Sequence, residues 1–418
     1  MKTILVFDCW LPGYKYIREL ATDFDVRVIF VHTSSLQLGA PAAEFQSFKM
    51  DPHIPAWVQD FSQYGYSFER LFAETSPDAL LVLSMHHIEA RTALYFGHHA
   101  QIPTFFVPHG IFVLDGDATV QRPKRSINES ISLLISKAPR VTYYLRYFFK
   151  FHFQMVRSGL RRVAPVDTAR LAIEMVLRFA KWQHRPSERV QDYYGPVVDS
   201  MLIYDQDLEK FYRDRYEKVV AKSRFIKTGT IDGGRLRRQI KKGLVAIASE
   251  HPSRAAYFIS TPYNEYFGEP DKSTYLDIVL KLRMAMEEAG IRPFVYRPHP
   301  GEPVEFTEDV RVATGATIDW NSDLSGLVAA PVVISTSSSL MYCACLLGKT
   351  IVNWTSERLV FDLPYYEPLK SYPRIEFDAD LERDQAAIEA LRAATGHPQS
   401  ANLSKLADPL ADLVQAIG

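Results

Sequence analysis

Short apolar runs alternate with longer amphipathic segments along most of the chain. Apolar runs of this length that end in turn-forming residues indicate strands, and the segments between them have the spacing of helices. In the first half we predict strands at residues 3–9, 25–32, 78–83, 103–107, 200–205 and 224–227, and helices at 56–74, 89–99 and 208–220. Because strands that alternate with helices build parallel sheets with helices on both faces, the pattern predicts an α/β, doubly wound architecture.

The alternation resumes in the last third, with predicted strands at residues 255–259, 293–296 and 331–334. Helices are predicted at 273–289, with Gly290 as the C-cap, and at 340–347, where an apolar run indicates a buried helix. A glycine-rich point, Thr228-Gly229 followed by Asp232-Gly233-Gly234, divides the pattern, so we place one domain at 1–232 and a second at 233–418. The tail helix is expected to pack back on the first domain.

An insertion near residues 122–190 interrupts the first domain with clustered basic and aromatic residues. On a helix, the basic residues fall on one narrow face and the aromatic residues on the broad opposite face, with Phe153 as the exception. A basic stripe beside an aromatic face favours a helix that lies in an anionic membrane interface. The alternative is a helix packed on its own domain with a solvated basic edge. The residues predicted to contact the membrane are Arg146, Phe148, Lys150, Phe151, Arg157 and Arg161.

Composition narrows the class of protein. The chain has 418 residues, of which 47% are hydrophobic and 23% charged, and its net charge is -1. Two domains with full cores are therefore expected, and neither disorder nor nucleic-acid binding is favoured. The three cysteines are odd in number and suit a reducing compartment. We expect neither a signal peptide nor a membrane-spanning helix.

Polar residues cluster where two predicted strands of the second domain end. The first strand leads into Arg297, His299 and Pro300, and the second leads into a serine-rich run before the buried helix. Ligands of open α/β sheets lie outside the carboxyl ends of the strands, and a helix N-terminus suits a phosphate. The alternatives are an ordinary N-cap and a strand-ending turn. The run comprises Ser335, Thr336, Ser337, Ser338 and Ser339.

Candidate catalytic residues also lie at the ends of predicted strands in the first domain. His109 stands between Pro108 and Gly110, so its imidazole could take a proton from an attacking hydroxyl, as could the carboxylate of Asp8. The alternative for His109 is a histidine that only satisfies backbone groups in a turn. His86 and His87 form a pair typical of metal sites, but no third ligand has a matching spacing, so no metal is expected.

Taken in order, His109-Gly110, Arg297-Pro298-His299-Pro300 and the serine cluster resemble motifs of GT-B glycosyltransferases. The HP and serine motifs are similar to those of bacterial transferases that use CMP-activated acidic sugars, namely sialyltransferases, polysialyltransferases and capsule Kdo transferases. The resemblance implies two Rossmann-like domains that face each other across a cleft. It also implies that the HP and serine motifs hold the donor, with Thr261 and Asn264 beside them. Gly13, His86, His87 and Gly110 are assigned to the acceptor side.

The chain departs from that pattern in two places. Bacterial sialyltransferases supply their base from a paired-acid-Gly motif, and the nearest match here, Asp115-Gly116-Asp117, is out of register. The His109-Gly110 motif instead resembles the CDP-glycerol glycerophosphotransferases of teichoic acid synthesis. Those proteins usually carry an acidic residue just before their serines, where this chain has Thr336.

The resulting expectation is a metal-independent glycosyltransferase of bacterial surface polysaccharide synthesis. It would transfer a sialic acid-like sugar or Kdo from a CMP donor to a glycan or lipid-linked acceptor. It would need no cofactor beyond its nucleotide-sugar donor and would lie on the inner face of the inner membrane. The rivals are a CDP-glycerol-type polyol-phosphate transferase, a scaffold with a degenerate GT-B body and, as a minor alternative, an epimerase acting on UDP-GlcNAc.

Overall fold

The structure is a computed structural model. It describes residues 1–36, 54–85, 88–108, 145–160, 169–173, 188–245, 255–260, 272–299, 302–321, 323–335, 338–355, 374–376, 381–394 and 406–417. Contacts between Cα atoms divide the chain into two compact units. Unit 1 contains Met1–His109, Leu114–Thr228 and Pro409–Gly418, and unit 2 contains Gly110–Val113 and Gly229–Asp408.

The described part of unit 1 is built on a seven-stranded sheet in which every pairing is parallel. The spatial order is β3-β2-β1-β4-β5-β6-β7, so the chain reverses direction across the sheet between β1 and β4. Strands β1, β2 and β4 are almost entirely buried, as expected for a sheet covered on both faces. The strands are β1 (Lys2–Asp8), β2 (Val26–His32), β3 (Val58–Asp60), β4 (Ala79–Val82), β5 (Thr104–Phe106), β6 (Ser200–Ile203) and β7 (Arg224–Lys227).

Two helices of unit 1 begin at side-chain caps. The Ser67 hydroxyl accepts from the Arg70 amide and starts the helix Phe68–Thr75. The Asp205 carboxylate accepts from the Leu208 amide in the same way. The α-helices with defined bounds are Arg18–Asp23, Phe68–Thr75, Ile88–His99, Glu188–Tyr194, Gln206–Arg215 and Pro409–Ile417, and a further helix covers residues 145–157.

The described part of unit 2 forms a second all-parallel sheet, in the order β10-β9-β8-β11-β12-β13. Here the direction reverses between β8 and β11. The strands are β8 (Ala256–Ile259), β9 (Phe294–Arg297), β10 (Thr317–Ile318), β11 (Val332–Ser335), β12 (Thr350–Thr355) and β13 (Arg374–Glu376). The α-helices are Ile231–Lys241, Lys272–Glu288, Val304–Thr314, Ser325–Ala329, Ser339–Leu346 and Leu381–Ala394.

The predicted α/β class and all nine predicted strands are confirmed, with shifts of one or two residues at the ends. The predicted helix at 56–74 is wrong in its first half. That part contains β3 and a 3-10 helix at Phe61–Tyr64, and only Phe68–Thr75 is α-helical. The helix cannot run through because Gly65 adopts a left-handed conformation, with φ 61, and ends the 3-10 turn. The sequence pattern also did not predict β10, β12 and β13.

The glycine-rich segment at residues 232–234 is helical. It forms the first turn of the helix Ile231–Lys241, which Thr230 caps by accepting from the Gly233 amide. A Cβ on Gly234 would lie 2.6 Å from Asp408 Oδ1, so the glycine allows close packing within unit 2. The contact division falls at Thr228 instead of residue 232. In the tail, Pro409–Ile417 belongs to unit 1 and contacts β6.

The helix at 145–157 buries the face that was predicted to meet lipid. Phe148 and Phe151 are 1% and 0% exposed, and the Phe151 ring lies 5.2 Å from the Phe68 ring in the core of unit 1. Lys150 donates to the Gly65 carbonyl at 3.2 Å and lies over the Tyr66 ring. Phe148, Phe151 and Lys150 therefore hold this helix on its own unit. The assignment of the buried Phe148 and Phe151 as membrane contacts is wrong, and that of the half-buried Lys150 stays a prediction. Among the described helices, none has the length and apolar character needed to cross a bilayer.

Candidate functional site

Each sheet has a point where its strand order reverses, and polar residues gather at both. In unit 2 this point lies between β8 and β11, where Ser260 follows β8 and Ser335 ends β11. In unit 1 it lies between β1 and β4, where Asp8 ends β1. In open α/β sheets such reversals open a crevice at the carboxyl ends of the strands, where ligands bind.

The HP turn of unit 2 is held by a half-buried glutamate. Glu302 follows His299-Pro300-Gly301 and accepts from Ser260 Oγ at 2.5 Å, from Tyr296 Oη at 2.9 Å and from Thr307 Oγ1 at 2.7 Å. Its amide donates to the His299 carbonyl at 2.9 Å, which closes the turn. The carboxylate therefore joins the turn after β9 to the end of β8 and to the next helix.

Burial raises the pKa of Glu302, and hydrogen bonds from Ser260, Thr307 and Tyr296 oppose the rise. Burial also raises the pKa of the Tyr296 phenol well above its usual range. Tyr296 therefore acts as a donor, to Ser260 at 2.9 Å as well as to Glu302. The network fixes the backbone that carries His299, which is itself half-buried.

Three of the predicted serines have structural partners. The Ser335 side chain is fully buried and donates to the Ile259 carbonyl at 3.0 Å, which ties the ends of β11 and β8 together. Ser338 caps the helix Ser339–Leu346 by accepting from the Leu340 amide at 3.2 Å. Ser339 donates to Asp232 Oδ2. Their hydroxyls shape this edge, and the positive end of the helix lies here as predicted.

The Asp232 carboxylate links Arg235 to the helix Ser339–Leu346, and neither Asp232 nor Arg235 was predicted from the sequence. One carboxylate oxygen accepts from Ser339, and the other lies 3.6 Å from Arg235 Nη1. The Arg235 and Asp232 side chains are 13% and 7% exposed. These residues were not predicted because Asp232 lies in the glycine-rich point that we took as the domain boundary. The Thr-Ile-Asp-Gly pattern of a capped helix was the available signal.

Arg297 was predicted to bind the donor, but it is engaged elsewhere in unit 2. Its Nη1 lies 3.3 Å from Asp319 Oδ2 and donates to the Asn321 carbonyl. Tyr257 donates to the same Asp319 oxygen at 2.6 Å. The guanidinium thus neutralises the buried carboxylate of Asp319, which follows β10. This gives Arg297 a structural role, and its predicted contact with the donor stays a prediction.

Several predicted residues lie outside the described part of the chain. On the donor side they are Thr261, Asn264, Pro300, Thr336 and Ser337. On the acceptor side they are His86, His87, His109 and Gly110, and in the basic insertion Arg161. Their predicted roles stay predictions.

Asp8 and Gly13 lie together at the reversal in unit 1. Asp8 is 1% exposed, and its Oδ1 accepts from the Cys9 amide at 2.7 Å. A Cβ on Gly13 would lie 2.5 Å from Asp8 Oδ2, so only glycine allows this approach. Burial, the charges of Asp8 and Glu89, and a hydrogen bond to Asp8 raise the pKa of the Cys9 thiol, which is therefore not a nucleophile.

Two further strand-end residues of unit 1 were not predicted. His32 ends β2 and lies 3.3 Å from the carboxylate of Asp60, which ends β3. Burial lowers the pKa of His32 to about 4, against the opposing charge of Asp60, so the imidazole is neutral. Within the described residues, no group of three or more His, Cys, Asp or Glu side chains is placed to hold a metal ion.

Comparisons with known proteins identify the fold of the chain but not its family. No family model and no curated protein matches the sequence. Among solved structures, the chain is similar to S. aureus MnaA in complex with UDP, with 13% identity, a TM-score of 0.51, and coverage of 100% of this chain and 96% of that one. A Listeria monocytogenes protein described as a UDP-N-acetylglucosamine 2-epimerase matches with 13% identity, a TM-score of 0.50 and the same coverage.

At this identity the likeness concerns the fold alone. Each unit has the parallel, doubly wound sheet predicted for it, and the matches extend over the whole chain. The chain therefore has the GT-B fold.

Proposed function

We propose that this protein is a GT-B glycosyltransferase that binds a nucleotide-activated donor on unit 2 and an acceptor on unit 1. The observation that carries the proposal is the construction of the unit 2 edge. There the Glu302-anchored HP turn, the capped serine helix and the strand reversal meet at the ends of β8, β9 and β11. A rigid turn beside a helix N-terminus suits a phosphate that leaves with negative charge.

We propose a CMP-linked acidic sugar as the donor, in surface polysaccharide synthesis. The support is the motif order His109-Gly110, His299-Pro300 and the serine cluster. In this mechanism His299 and the helix end bind the phosphate, and a residue at the strand ends of unit 1 accepts the proton of the acceptor hydroxyl. Asp8 and His109 are the candidates for this step that the sequence offers. Replacing His299 with alanine is expected to abolish turnover and weaken the binding of CMP. A folded variant with unchanged turnover and CMP affinity would contradict the proposal.

A second candidate is a diphosphate-linked donor, as in polyol-phosphate transfer from CDP-glycerol. Arg235 favours this donor, because its guanidinium pairs with Asp232, the same carboxylate that accepts from Ser339. A pyrophosphate carries more negative charge than a single phosphate and would gain more from a guanidinium near the serines. Replacing Arg235 with alanine should then weaken CDP binding by about tenfold or more. The matched control is Arg237→Ala, which removes an exposed arginine from the same helix.

The donor class is tested by the thermal stabilisation that CMP, CDP, UDP and GDP each produce, with and without Mg²⁺. A shift with CMP alone supports the CMP donor, whereas a larger shift with CDP supports the polyol-phosphate alternative. A preference for UDP, with interconversion of a UDP-sugar in the absence of acceptor, would support an epimerase. No shift with any nucleotide would leave a scaffold as the better description.

We also propose attachment to an anionic inner-membrane surface, now through the opposite face of the helix at 145–157. Phe153 is 64% exposed and Val156 is 40% exposed, and Arg146 and Arg157 are exposed beside them. An exposed aromatic ring with basic neighbours suits a lipid headgroup layer. Reversing both arginines to glutamate should reduce retention on vesicles that contain phosphatidylserine. The double reversal of Lys222 and Arg224, exposed in the same unit, is the control.

A further inference from the structure

A buried glutamate lies at the strand reversal of unit 1, in the first turn of a helix. Glu89 is the second residue of Ile88–His99, the helix that follows β4. β4 and β1 are the neighbouring strands between which the sheet order reverses. Glu89 therefore lies at the same end of the sheet as Asp8, where an α/β fold places its ligand.

Glu89 follows β4 along the chain and also lies close to the end of β1. The charges of Asp8 and Glu89 both raise the pKa of the Cys9 thiol, so both carboxylates lie within electrostatic range of that side chain. The helix that carries Glu89 also packs directly on β1. Two carboxylates thus converge on the end of β1.

The Glu89 side chain has a free oxygen although it is buried. The residue is 9% exposed, and among the described residues its Oε2 has no hydrogen-bond partner. Arg91, the nearest basic residue along the helix, donates to the Met85 carbonyl at 2.8 Å and stacks over the Tyr194 ring. Burial raises the pKa of Glu89, and a hydrogen bond from its own backbone amide and the charge of Arg91 oppose the rise.

A buried carboxyl oxygen without a partner costs stability, because the group gives up its hydration without a replacement. A structural role would be served better by glutamine or by an apolar residue. A carboxyl group in a cleft with a raised pKa is instead typical of a group that exchanges protons.

We propose that Glu89 is a catalytic residue of the transfer reaction and takes the proton from the acceptor hydroxyl. The inference rests on the proposed function and supplies the carboxylate base that the sequence motifs did not provide. As the acceptor oxygen forms its bond to the donor sugar carbon, the O–H proton passes to Glu89 Oε2. The bond from that carbon to the nucleotide phosphate breaks, and the phosphate leaves with the electron pair. Glu89 then returns the proton to water.

The test compares Glu89→Gln with Glu69→Gln. Glu69 occupies the first turn of Phe68–Thr75 in the same unit and is exposed, so its substitution changes the same chemical group outside the crevice. Turnover is measured as nucleotide released from CMP-sialic acid, CMP-Kdo and CDP-glycerol, with a bacterial membrane lipid extract as the acceptor. Nucleotide binding and melting temperature are measured on the same samples.

For Glu89→Gln we expect a loss of about 100-fold or more in kcat, with unchanged nucleotide affinity and an unchanged or higher melting temperature. Glu89→Asp should recover part of the activity, and Glu69→Gln should behave as the wild type. Wild-type turnover in a folded Glu89→Gln protein would overturn the inference while leaving the proposed function intact. A wild-type protein that turns over none of the three donors would overturn the proposed function, and the inference with it.

Discussion

Ser260 Oγ donates a 2.5 Å hydrogen bond to Glu302 Oε2, so the end of β8 is joined directly to the turn that follows β9. Thr307 adds a bond from the next helix, and the Glu302 amide closes the turn on the His299 carbonyl. The position of His299 therefore depends on a carboxylate three residues later in the chain. Ser260 and Glu302 can therefore affect ligand binding without contacting the ligand, because their network orients the backbone of the HP turn.

Replacing Glu302 with alanine should destabilise unit 2 by about 2 kcal/mol and weaken nucleotide binding. The loss follows because three hydroxyl groups lose their shared acceptor and the turn loses its anchor. Glu302→Gln should lose less stability and less nucleotide affinity, since its amide oxygen can still accept hydrogen bonds from these hydroxyls. Urea unfolding and nucleotide titration measure the two effects.

The control for Glu302 is Glu305→Ala, an exposed residue in the first turn of Val304–Thr314. It should leave both quantities unchanged. A Glu302→Ala protein that binds nucleotide as tightly as the wild type would show that the HP turn does not need this anchor.

Replacing Arg297 with alanine should cost about 3 kcal/mol of stability, because Asp319 would be left buried without its guanidinium. Nucleotide affinity of the molecules that remain folded should not change. The control is Arg292→Ala, which breaks an exposed ion pair with Glu287 near the start of the same strand and should cost little. If Arg297→Ala reduced nucleotide affinity while stability stayed constant, Arg297 would be a donor contact as its sequence position suggested.

Arg297 also illustrates what the sequence could not predict. Apolar runs identified the strands because burial of a parallel sheet depends on local composition, and the strand ends then indicated which residues to consider. The partner of each polar side chain depends on distant residues instead. Ser339 meets Asp232 from 107 positions away, and Tyr257 meets Asp319 from 62 positions away. The sequence pattern therefore identified the polar edge of each sheet, but it could not distinguish a residue that contacts a ligand from one that forms an internal hydrogen bond.

The helix at 145–157 shows the same limit for a surface. Its two-faced pattern was predicted correctly, but amphipathicity does not say whether the apolar face meets lipid or protein. Phe151 packs against Phe61 and Phe68, which belong to segments far away in the sequence. Phe153, the aromatic residue that did not fit the pattern, is 64% exposed.

Replacing Gly13 with alanine should lower turnover, because the new Cβ would lie 2.5 Å from Asp8 Oδ2 and displace the carboxylate at the strand reversal where the acceptor is proposed to bind. The strain should also cost about 1–3 kcal/mol of stability. Gly97→Ala is the matched control, since its Cβ would meet Leu80 Cδ2 at 2.9 Å in the same unit but away from Asp8. The control should be destabilised to a similar degree and still turn over substrate. Equal loss of activity in both variants would mean that stability alone explains the effect.

Asp205 gives a prediction for the pH dependence of stability. It caps Gln206–Arg215 by accepting from the Leu208 amide at 2.8 Å, and its Oδ2 has no partner among the described residues. Burial raises the pKa of Asp205 from 3.8 to about 6. The folded state therefore binds the proton more tightly than the unfolded chain does. The stability that this group contributes is fully present below pH 3.8 and is lost as the pH rises through about 6.

Asp205→Asn keeps an acceptor for the Leu208 amide and carries no charge at any pH. Its melting temperature should equal that of the wild type below pH 3.8 and exceed it increasingly between pH 3.8 and about 6. Above that range the difference should stay constant. Asp214→Asn, which removes an exposed carboxylate from the same helix, should show no such divergence. Parallel curves for Asp205→Asn and the wild type across this range would mean that the Asp205 carboxylate is as well solvated in the fold as in the unfolded chain.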